Sequence, residues 1–232
     1  MDVLILGFGE VGQGVYQAIK KYHDVDYYDS VAGKSVNLKD KYDILLVCFP
    51  YSEGFVDSVN EYQNIYDANA VIIFSTVPIG TTSQIKNAVH SPVEGKHPYL
   101  ASSMGKFRRF VGGYNGHAIK FFIEAGFEYK CFPKPETTEL LKLQSTTNYG
   151  INIEYAREVK KTCDKYSIDY EAVKEYNRAY NKLYEGTNYK RYILDPPDGK
   201  IGGHCILSNI PLFKKDFDNG FIKILEDNNA RY

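Results

Sequence analysis

Three glycines near the N-terminus constrain the fold of this chain more than any other feature. The stretch "DVLILGFGEVGQGVYQAIKKYHDVDYYDS" has the pattern of a short apolar strand, a glycine turn, an amphipathic helix and a second strand that ends in an acid. Gly7, Gly9 and Gly12 form G-x-G-x-x-G at the turn, and Asp29 follows 22 residues after Gly7. A strand, a helix and a distal acid in this order are the context of a dinucleotide-binding βαβ unit.

Each glycine of the motif has a physical reason. Gly7 permits the tight turn, Gly9 lets a pyrophosphate approach the backbone, and Gly12 allows the helix to pack closely on the strand. The backbone N–H groups at the helix N-terminus then face the phosphates. The predicted cofactor site therefore includes six consecutive residues: Gly7, Phe8, Gly9, Glu10, Val11 and Gly12.

Asp29 indicates which dinucleotide this site favours. Its carboxylate can accept hydrogen bonds from the adenosine ribose hydroxyls, and no arginine follows it to bind a 2′-phosphate. The sequence therefore predicts NAD rather than NADP. The alternative is an ordinary strand-to-helix turn whose glycines bind no ligand.

Alternating strands and helices continue beyond this unit. "YDILLVCFP" and "AVIIFSTVP" are apolar runs typical of parallel strands buried on both faces. "SEGFVDSVNEYQNIY" between them has helical spacing, and "TTSQIKNAV" predicts a short helix after the second. Further strands are predicted at "AVHSPV", "RFVGG" and "FEYKCF", with a helix at "HAIKFFIEA". The pattern predicts an α/β fold, a Rossmann-type doubly wound, mostly parallel sheet over residues 1–133 that binds NAD.

The chain changes character after Pro133 and Pro135. About 30 residues then show helical periodicity without an internal proline, which predicts a long connecting helix. "YEAVKEYNRAYNKLYEG" predicts a second helix. Residues 134–232 are therefore expected to form a smaller helical domain, which also holds the "GGHC" segment ending in Cys205.

Composition excludes several classes of function. Lys plus Arg (28) nearly balance Asp plus Glu (29), and these residues are scattered, so no nucleic-acid surface is indicated. No run approaches the ~18 apolar residues of a membrane helix, and no basic segment with a cleavage site precedes "DVLILG", so we expect a cytoplasmic protein without membrane association. Four cysteines lie far apart without a CxxC pair, which predicts reduced thiols and neither a zinc site nor a disulfide framework.

Six motifs, in order, resemble the nucleotide-sugar 6-dehydrogenases, the family of UDP-glucose, UDP-N-acetylmannosamine and GDP-mannose dehydrogenases. They are "GFGEVG", "FSTVPIGTT", "SPVEG", "ELLKLQSTTNYGINIEYA", "YSIDYEAV" and "GGHCI". The resemblance implies an NAD-dependent, four-electron oxidation of a sugar primary alcohol to a carboxylate. In that chemistry a cysteine captures the intermediate aldehyde as a thiohemiacetal, and a second hydride transfer gives a thioester that water hydrolyses.

The same resemblance assigns catalytic roles to single residues. Cys205 matches the nucleophile, and Lys142 matches a helix lysine that can stabilise an alkoxide or oxyanion. Thr76, with Ser75 before it, matches a threonine near the nicotinamide, and Glu94 corresponds to a general acid/base glutamate in a stretch shorter than the family pattern. The ordinary alternatives are a buried structural cysteine, a solvated helix lysine and a strand-capping threonine.

Two departures from the family pattern bear on thioester hydrolysis. Asn209 stands four residues after the cysteine, where the family has an aspartate, and Thr146 stands four residues after the lysine, where it has an asparagine. Both changes are expected to weaken the activation of water and the stabilisation of an oxyanion. Asn209 remains a candidate catalytic residue. Only 27 residues follow Cys205, where the family has a second Rossmann-like domain that contributes to the nucleotide-sugar site. A partner subunit or a smaller substrate is the expected substitute.

Three functions remain open at the level of sequence. The first is a compact NAD-dependent dehydrogenase acting on a sugar or nucleotide sugar. The second is a two-electron dehydrogenase similar to the 3-hydroxyacid and 6-phosphogluconate enzymes, which would not need Cys205. The third is an NAD-binding protein without catalysis.

The long helix also predicts assembly. Its apolar residues exceed what one small domain is expected to cover, and the family dimerises through this helix, so the region 136–165 predicts a homodimer. These residues are Leu140, Leu141, Leu143, Tyr149, Ile151, Ile153 and Tyr155.

Overall fold

The structure is a computed structural model. It describes the chain except residues 31–34, 37, 96–98, 202–205, 218–219 and 231–232, together with the side chains of 228–229. The predicted nucleophile Cys205 and its neighbour His204 lie outside the described residues.

Seven strands form a single sheet. In chain order they are β1 (Asp2–Leu6), β2 (Asp24–Tyr28), β3 (Ile44–Val47), β4 (Ala70–Ile73), β5 (Ala88–His90), β6 (Arg109–Gly112) and β7 (Tyr129–Phe132). Their spatial order is β2-β1-β3-β4-β5-β6-β7. Every pairing is parallel except that of β5 with β6. The predicted α/β, mostly parallel sheet is therefore confirmed, with its strand order reversing between β1 and β3, where open α/β sheets bind ligands.

Helices cover the sheet and continue beyond it. They are α1 (Glu10–Ile19), α2 (Phe55–Ile65), α3 (Leu100–Lys106), α4 (Gly116–Glu124), α5 (Pro135–Lys165), α6 (Tyr170–Leu183), α7 (Ile210–Lys214) and α8 (Gly220–Asn229). The predicted long helix is confirmed as α5, which has 31 residues. The predicted helix after β4 is only a 3-10 turn at Thr82–Gln84, because Asn87 (φ 56°) turns the chain directly into β5.

The core lies on both faces of the sheet, as a doubly wound fold requires. Successive residues of a strand point to opposite faces. In β1, Val3 and Ile5 pack in the cluster that includes α1 and α4, whereas Leu4 and Leu6 pack in the cluster that includes α2. All four side chains are 1% exposed or less, which explains why these strands are apolar throughout.

The chain divides into two compact units, Met1–Lys142 and Leu143–Tyr232. The division falls inside α5 rather than next to Pro133, so the first part of this helix, including Lys142, belongs with the sheet. That the two parts serve cofactor binding and dimerisation, respectively, stays a prediction.

In the second unit α5 approaches its neighbours closely at Gly150. A Cβ atom there would lie 2.9 Å from Ile206 and 3.3 Å from Leu225 of α8, so a larger side chain would separate these elements. Across the described part of the chain, the helices lack the combination of length and apolar character that crossing a membrane requires.

Candidate functional site

The glycines of the turn after β1 differ in the space around them, which distinguishes those that the fold requires from the one that leaves room for a ligand. Gly7 has a φ of +90°, and a Cβ there would lie 2.7 Å from the backbone nitrogen of Phe49. A Cβ on Gly12 would lie 2.0 Å from the carbonyl oxygen of Gly7. At Gly9, by contrast, no atom lies within 4 Å of a Cβ position. The fold itself therefore requires Gly7 and Gly12, while Gly9 faces open space that a phosphate group can approach.

The N-terminus of α1 opens at this turn. Gly9 is its N-cap and supplies no side-chain hydrogen bond. The first N–H groups of a helix have no partner within the helix and carry partial positive charge, so they suit an anion. The first turn of α1 begins at Glu10, directly after the glycine turn, so the residues present fit the pyrophosphate of a dinucleotide.

Asp29 lies against the same turn. It follows β2 directly, and its Oδ2 accepts a hydrogen bond from the backbone N–H of Phe8 at 2.6 Å. The Phe8 ring in turn stacks on Tyr27 with 3.7 Å between ring centroids. The predicted acid and the predicted turn are thus brought together, although their contact with a cofactor stays a prediction.

Ser75 and Thr76 follow the carboxyl end of β4. Ser75 is buried, and its hydroxyl donates to the carbonyl oxygen of Phe49 at 2.6 Å, which ties the segments after β3 and β4 to each other. Thr76 beside it is half-buried. Ser75 therefore has a structural role at this edge, and the cofactor contacts predicted for both residues remain predictions.

Lys142 and Glu94, two of the predicted catalytic residues, lie together. The Lys142 Nζ donates to the carbonyl oxygen of Val93 at 2.7 Å and lies 3.5 Å from Oε1 of Glu94. The Lys142 side chain is only 14% exposed and that of Glu94 32%. This is not the environment of a solvated helix lysine, because the ammonium is held against a loop that follows β5.

Glu139, one helical turn before Lys142, holds α5 to the loop after β4. Its carboxylate accepts hydrogen bonds from the backbone N–H groups of Gly80 (2.6 Å) and Thr82 (2.8 Å). Glu139 is completely buried, and burial raises its pKa against the effect of these hydrogen bonds. Sequence reasoning missed this residue, because a glutamate on a helix is usually exposed.

His90, at the end of β5, joins α5 to the segment that follows β4. Its Nε2 lies 3.2 Å from the carbonyl oxygen of Ser75, and its Nδ1 lies 2.9 Å from the hydroxyl of Thr138 on α5. A carbonyl only accepts, so Nε2 carries the proton and Nδ1 accepts from Thr138. Burial lowers the His90 pKa to about 3, which keeps the imidazole neutral.

We expect His90 to make folding sensitive to acid. Its pKa in the folded state (about 3) lies below the ordinary 6.5, so the unfolded chain takes up the proton first as the pH falls. The free energy of unfolding should therefore drop by about 2 kcal/mol through this residue between pH 7 and pH 5. Urea unfolding at both pH values, compared between the wild type and His90→Gln, measures this difference.

The exposed His117 offers a matched control. His117→Gln should keep the pH dependence of the wild type, whereas His90→Gln should flatten it. Equal pH dependence in all three proteins would contradict the assignment. His23, whose pKa is also lowered by burial, is present in all three and cancels from the comparison.

Arg109 is a second buried group that sequence reasoning missed. Its Nη2 donates to the carbonyl oxygen of Pro92, and the guanidinium lies 5.7 Å from the ring centroid of Phe74. Burial lowers its pKa to about 10, so it remains a cation, and the charge of Glu94 opposes that lowering. Among the described residues its Nε and Nη1 have no hydrogen-bond partner. Arg109 thus fixes the segment that leads from β5 to Glu94.

In the second unit, the two departures from the family pattern contact each other. The side-chain amide of Asn209, which is 6% exposed, donates to the hydroxyl of Thr146 at 3.4 Å. Thr146 lies on α5 and Asn209 directly precedes α7, so this hydrogen bond joins the two helices. The position of Asn209 relative to Cys205 stays a prediction.

The three described cysteines are free thiols in different environments. Cys163 is buried, Cys131 is exposed, and burial raises the pKa of Cys48, which packs against the core. Cys131 is thus the thiol with which Cys205 must be compared in any labelling experiment.

The chain is similar to known dehydrogenases in sequence and in fold. It is 27% identical over 211 residues to a UDP-N-acetyl-D-mannosamine dehydrogenase of Methanococcus vannielii, a match that covers 76% of this chain and 46% of that protein. The structure of a UDP-D-ManNAc dehydrogenase from Pyrococcus horikoshii matches all of this chain and 68% of that one, with a TM-score of 0.82 at 18% identity. The chain is thus similar to nucleotide-sugar dehydrogenases in sequence and in fold.

This relationship confirms the resemblance seen in the motifs and the Rossmann-type fold. No family model matches the chain. It spans less than half the length of the Methanococcus vannielii relative. A Mycobacterium tuberculosis 3-hydroxyisobutyrate dehydrogenase shares the fold over all of this chain and 93% of its own, with a TM-score of 0.73 at 13% identity.

Proposed function

We propose that this chain is an NAD-dependent dehydrogenase that oxidises the primary alcohol of a sugar or nucleotide sugar, with Cys205 capturing the aldehyde as a thiohemiacetal. The observation that carries the proposal is the contact between Lys142 and Glu94, because it places an ammonium and a carboxylate together in a relative of the nucleotide-sugar dehydrogenases. The test is a screen of nucleotide sugars and sugar phosphates for NADH formation, followed by absorbance.

Lys142 and Glu94 suit the proton and charge transfers of alcohol oxidation. Bound NAD would supply the hydride acceptor. As the hydride leaves carbon, the hydroxyl must lose its proton, which a carboxylate such as Glu94 can accept. The Lys142 ammonium, oriented by the carbonyl of Val93, stabilises the negative charge that develops on oxygen.

Cys205 would act on the aldehyde after this first step. Its thiolate adds to the carbonyl carbon, and the carbonyl oxygen takes a proton to give the thiohemiacetal. A second NAD, replacing the first NADH, would accept a hydride from that carbon as the hydroxyl loses its proton, which leaves a thioester that water cleaves to the acid and the thiol. A reducing compartment such as the cytoplasm would keep Cys205 in the thiol form this requires.

A two-electron hydroxyacid dehydrogenase is the second candidate. One observation favours it: the 3-hydroxyisobutyrate dehydrogenase fold matches this chain over 93% of its own length. Such an enzyme would use Lys142 and would form one NADH per substrate, independent of Cys205.

We expect NAD to bind at least tenfold more tightly than NADP, which corresponds to about 1.4 kcal/mol. The Asp29 carboxylate, held at the turn by the N–H of Phe8, can accept from the ribose hydroxyls and repels a 2′-phosphate. Calorimetry with both cofactors measures the ratio. Asp29→Asn should reduce it, and equal affinities in the wild type would count against the assignment.

We also propose a homodimer that uses the region 136–165. Leu140, Tyr149 and Tyr155 of this region are 43%, 45% and 70% exposed, which leaves apolar surface for a partner, while Leu143 and Ile153 are buried within the protomer. Light scattering at micromolar concentration should give twice the mass of 26.4 kDa. A monomeric mass would exclude the proposal.

A further inference from the structure

Phe8 lies between Gly7 and Gly9 and is the one residue at the tip of the glycine turn that has a side chain. Glycine leaves the backbone freer than any other residue does. At Gly9 the surroundings add no restraint, since no atom lies within 4 Å of a Cβ position. The contacts of Phe8 therefore bear directly on how well the turn that faces the pyrophosphate is fixed.

The Phe8 ring belongs to a cluster of three aromatic rings. It stacks on Tyr27 of β2, with 3.7 Å between the centroids and 11° between the planes. Tyr16 of α1 meets both rings edge-on, at 5.7 Å from Phe8 and 6.0 Å from Tyr27. Contacts between aromatic rings stabilise beyond the area that they bury. The cluster thus attaches the glycine turn to β2 and to α1.

The backbone of Phe8 is held as well as its ring. Its N–H donates to Oδ2 of Asp29 at 2.6 Å, and its carbonyl oxygen accepts from the side-chain amide of Gln13 at 3.0 Å. Asp29 follows Tyr27 by only two residues in the chain. The ring stack and the hydrogen bond therefore join the same two segments at neighbouring points, and a shift of the Phe8 ring would move its N–H away from the carboxylate.

The orientation of the Asp29 carboxylate bears on the choice of cofactor. A carboxylate has about four acceptor positions, so Asp29 can accept from Phe8 and from a ribose hydroxyl together. Discrimination against a 2′-phosphate requires that the negative charge stays where the 2′-hydroxyl binds. A carboxylate that loses its N–H donor can rotate away from that position, and the repulsion of the phosphate then weakens.

We propose that Phe8 and Tyr27 are positioning residues that orient Asp29 and thereby set the preference of the site for NAD over NADP. The proposal rests on the cofactor assigned under the proposed function, but it is tested by binding and not by turnover. It can therefore fail in a protein that forms NADH, and it can hold in a protein that oxidises no sugar.

The experiment measures the affinities for NAD and NADP by calorimetry in Phe8→Ala and Tyr27→Leu, each of which removes one ring of the stack. Phe8→Tyr is the conservative variant that keeps the stack. Its hydroxyl has room in the open pocket that Phe8 lines together with Gln13 and Gln17. Tyr114→Leu is the control, because Tyr114 is 82% exposed and follows β6, which three strands separate from β1.

We expect Phe8→Ala and Tyr27→Leu to lower the ratio of NAD affinity to NADP affinity by about threefold or more, a change that loss of one aromatic contact can produce. Phe8→Tyr and Tyr114→Leu should stay within about twofold of the wild type. Asp29→Asn supplies the decisive background. If the rings act through the charge of Asp29, adding Tyr27→Leu to Asp29→Asn should not change the ratio further.

Hydrogen exchange of the Phe8 amide, followed by NMR, measures the same link in the protein without cofactor. Tyr27→Leu leaves the chain neighbours of Phe8 unchanged, so a change in exchange reports on the hydrogen bond to Asp29 and not on the intrinsic rate. We expect this amide to exchange about threefold faster or more in Tyr27→Leu than in the wild type, and at the wild-type rate in Tyr114→Leu.

An equal loss of affinity for both cofactors, with an unchanged ratio, would show that the rings only stabilise the turn, and the proposal would be wrong. If Phe8→Ala does not fold, Tyr27→Leu, which keeps Phe8, decides alone. If the wild type forms no NADH from any sugar but the ratio still falls in the variants, positioning stands and the proposed function fails. A wild type that binds neither dinucleotide would exclude both.

Discussion

Replacing Cys205 by serine should abolish formation of the acid and lower kcat for the complete oxidation by about 10³-fold or more, as expected for loss of a nucleophile. A serine hydroxyl is hardly ionised near neutral pH, whereas a thiol provides an appreciable fraction of thiolate. Without sulfur the aldehyde is not captured. The variant should then release the aldehyde with one NADH per substrate, where the wild type forms two.

The stoichiometry of NADH, measured with limiting substrate, distinguishes the candidate functions. Cys131→Ser is the control, because it removes an exposed thiol outside the proposed site and should leave kcat unchanged. If the wild type itself forms only one NADH per substrate and Cys205→Ser has the same kcat, the result would favour the two-electron dehydrogenase. NAD binding without NADH from any substrate would favour the binding protein without catalysis.

Alkylation provides an independent measure of the same thiol. Cys205, as the proposed nucleophile, should be the most sensitive of the four cysteines, since the thiolate is the form of a cysteine that reacts. Cys163 is buried and burial raises the pKa of Cys48, so both should react slowly. Labelling of Cys131 with Cys205 untouched would indicate a structural thiol in the GGHC segment.

Replacing Lys142 by methionine should lower kcat by about 10²–10³-fold, the loss typical of removing a group that stabilises developing charge. Methionine has a similar length and suits a side chain that is only 14% exposed, so the fold should persist. The KM for NAD should stay unchanged. Steady-state kinetics with the substrate identified by the NADH screen measure both constants.

Lys134→Met is a suitable control, because Lys134 is exposed and precedes α5. Glu94→Gln separates the roles within the pair, because it removes the proposed base but keeps the ammonium, and it should also lower kcat. A Lys142→Met variant within about threefold of the wild-type kcat would contradict a role in charge stabilisation.

Much of the fold could be read from local pattern alone. The G-x-G-x-x-G turn, the apolar strands and the long helix depend on residues close in sequence, whose side-chain periodicity of 2 or 3.6 marks each element. The helices α3, α7 and α8 were not predicted; α3 and α7 have only seven and five residues, which are too few turns to show a clear period. The helix predicted after β4 was too long for the same reason.

The sequence by itself determined the strands and the glycine turn, because each is a pattern of residues close together in the chain, and its resemblance to the nucleotide-sugar dehydrogenases supplied Lys142 and Glu94 as candidates. Only the tertiary structure showed that Lys142 contacts Glu94, 48 residues away in the chain. It also revealed the buried supports His90, Arg109 and Glu139. Charged and polar residues of these types are usually exposed, and burial is stable only where distant elements supply partners, a condition that no local pattern records.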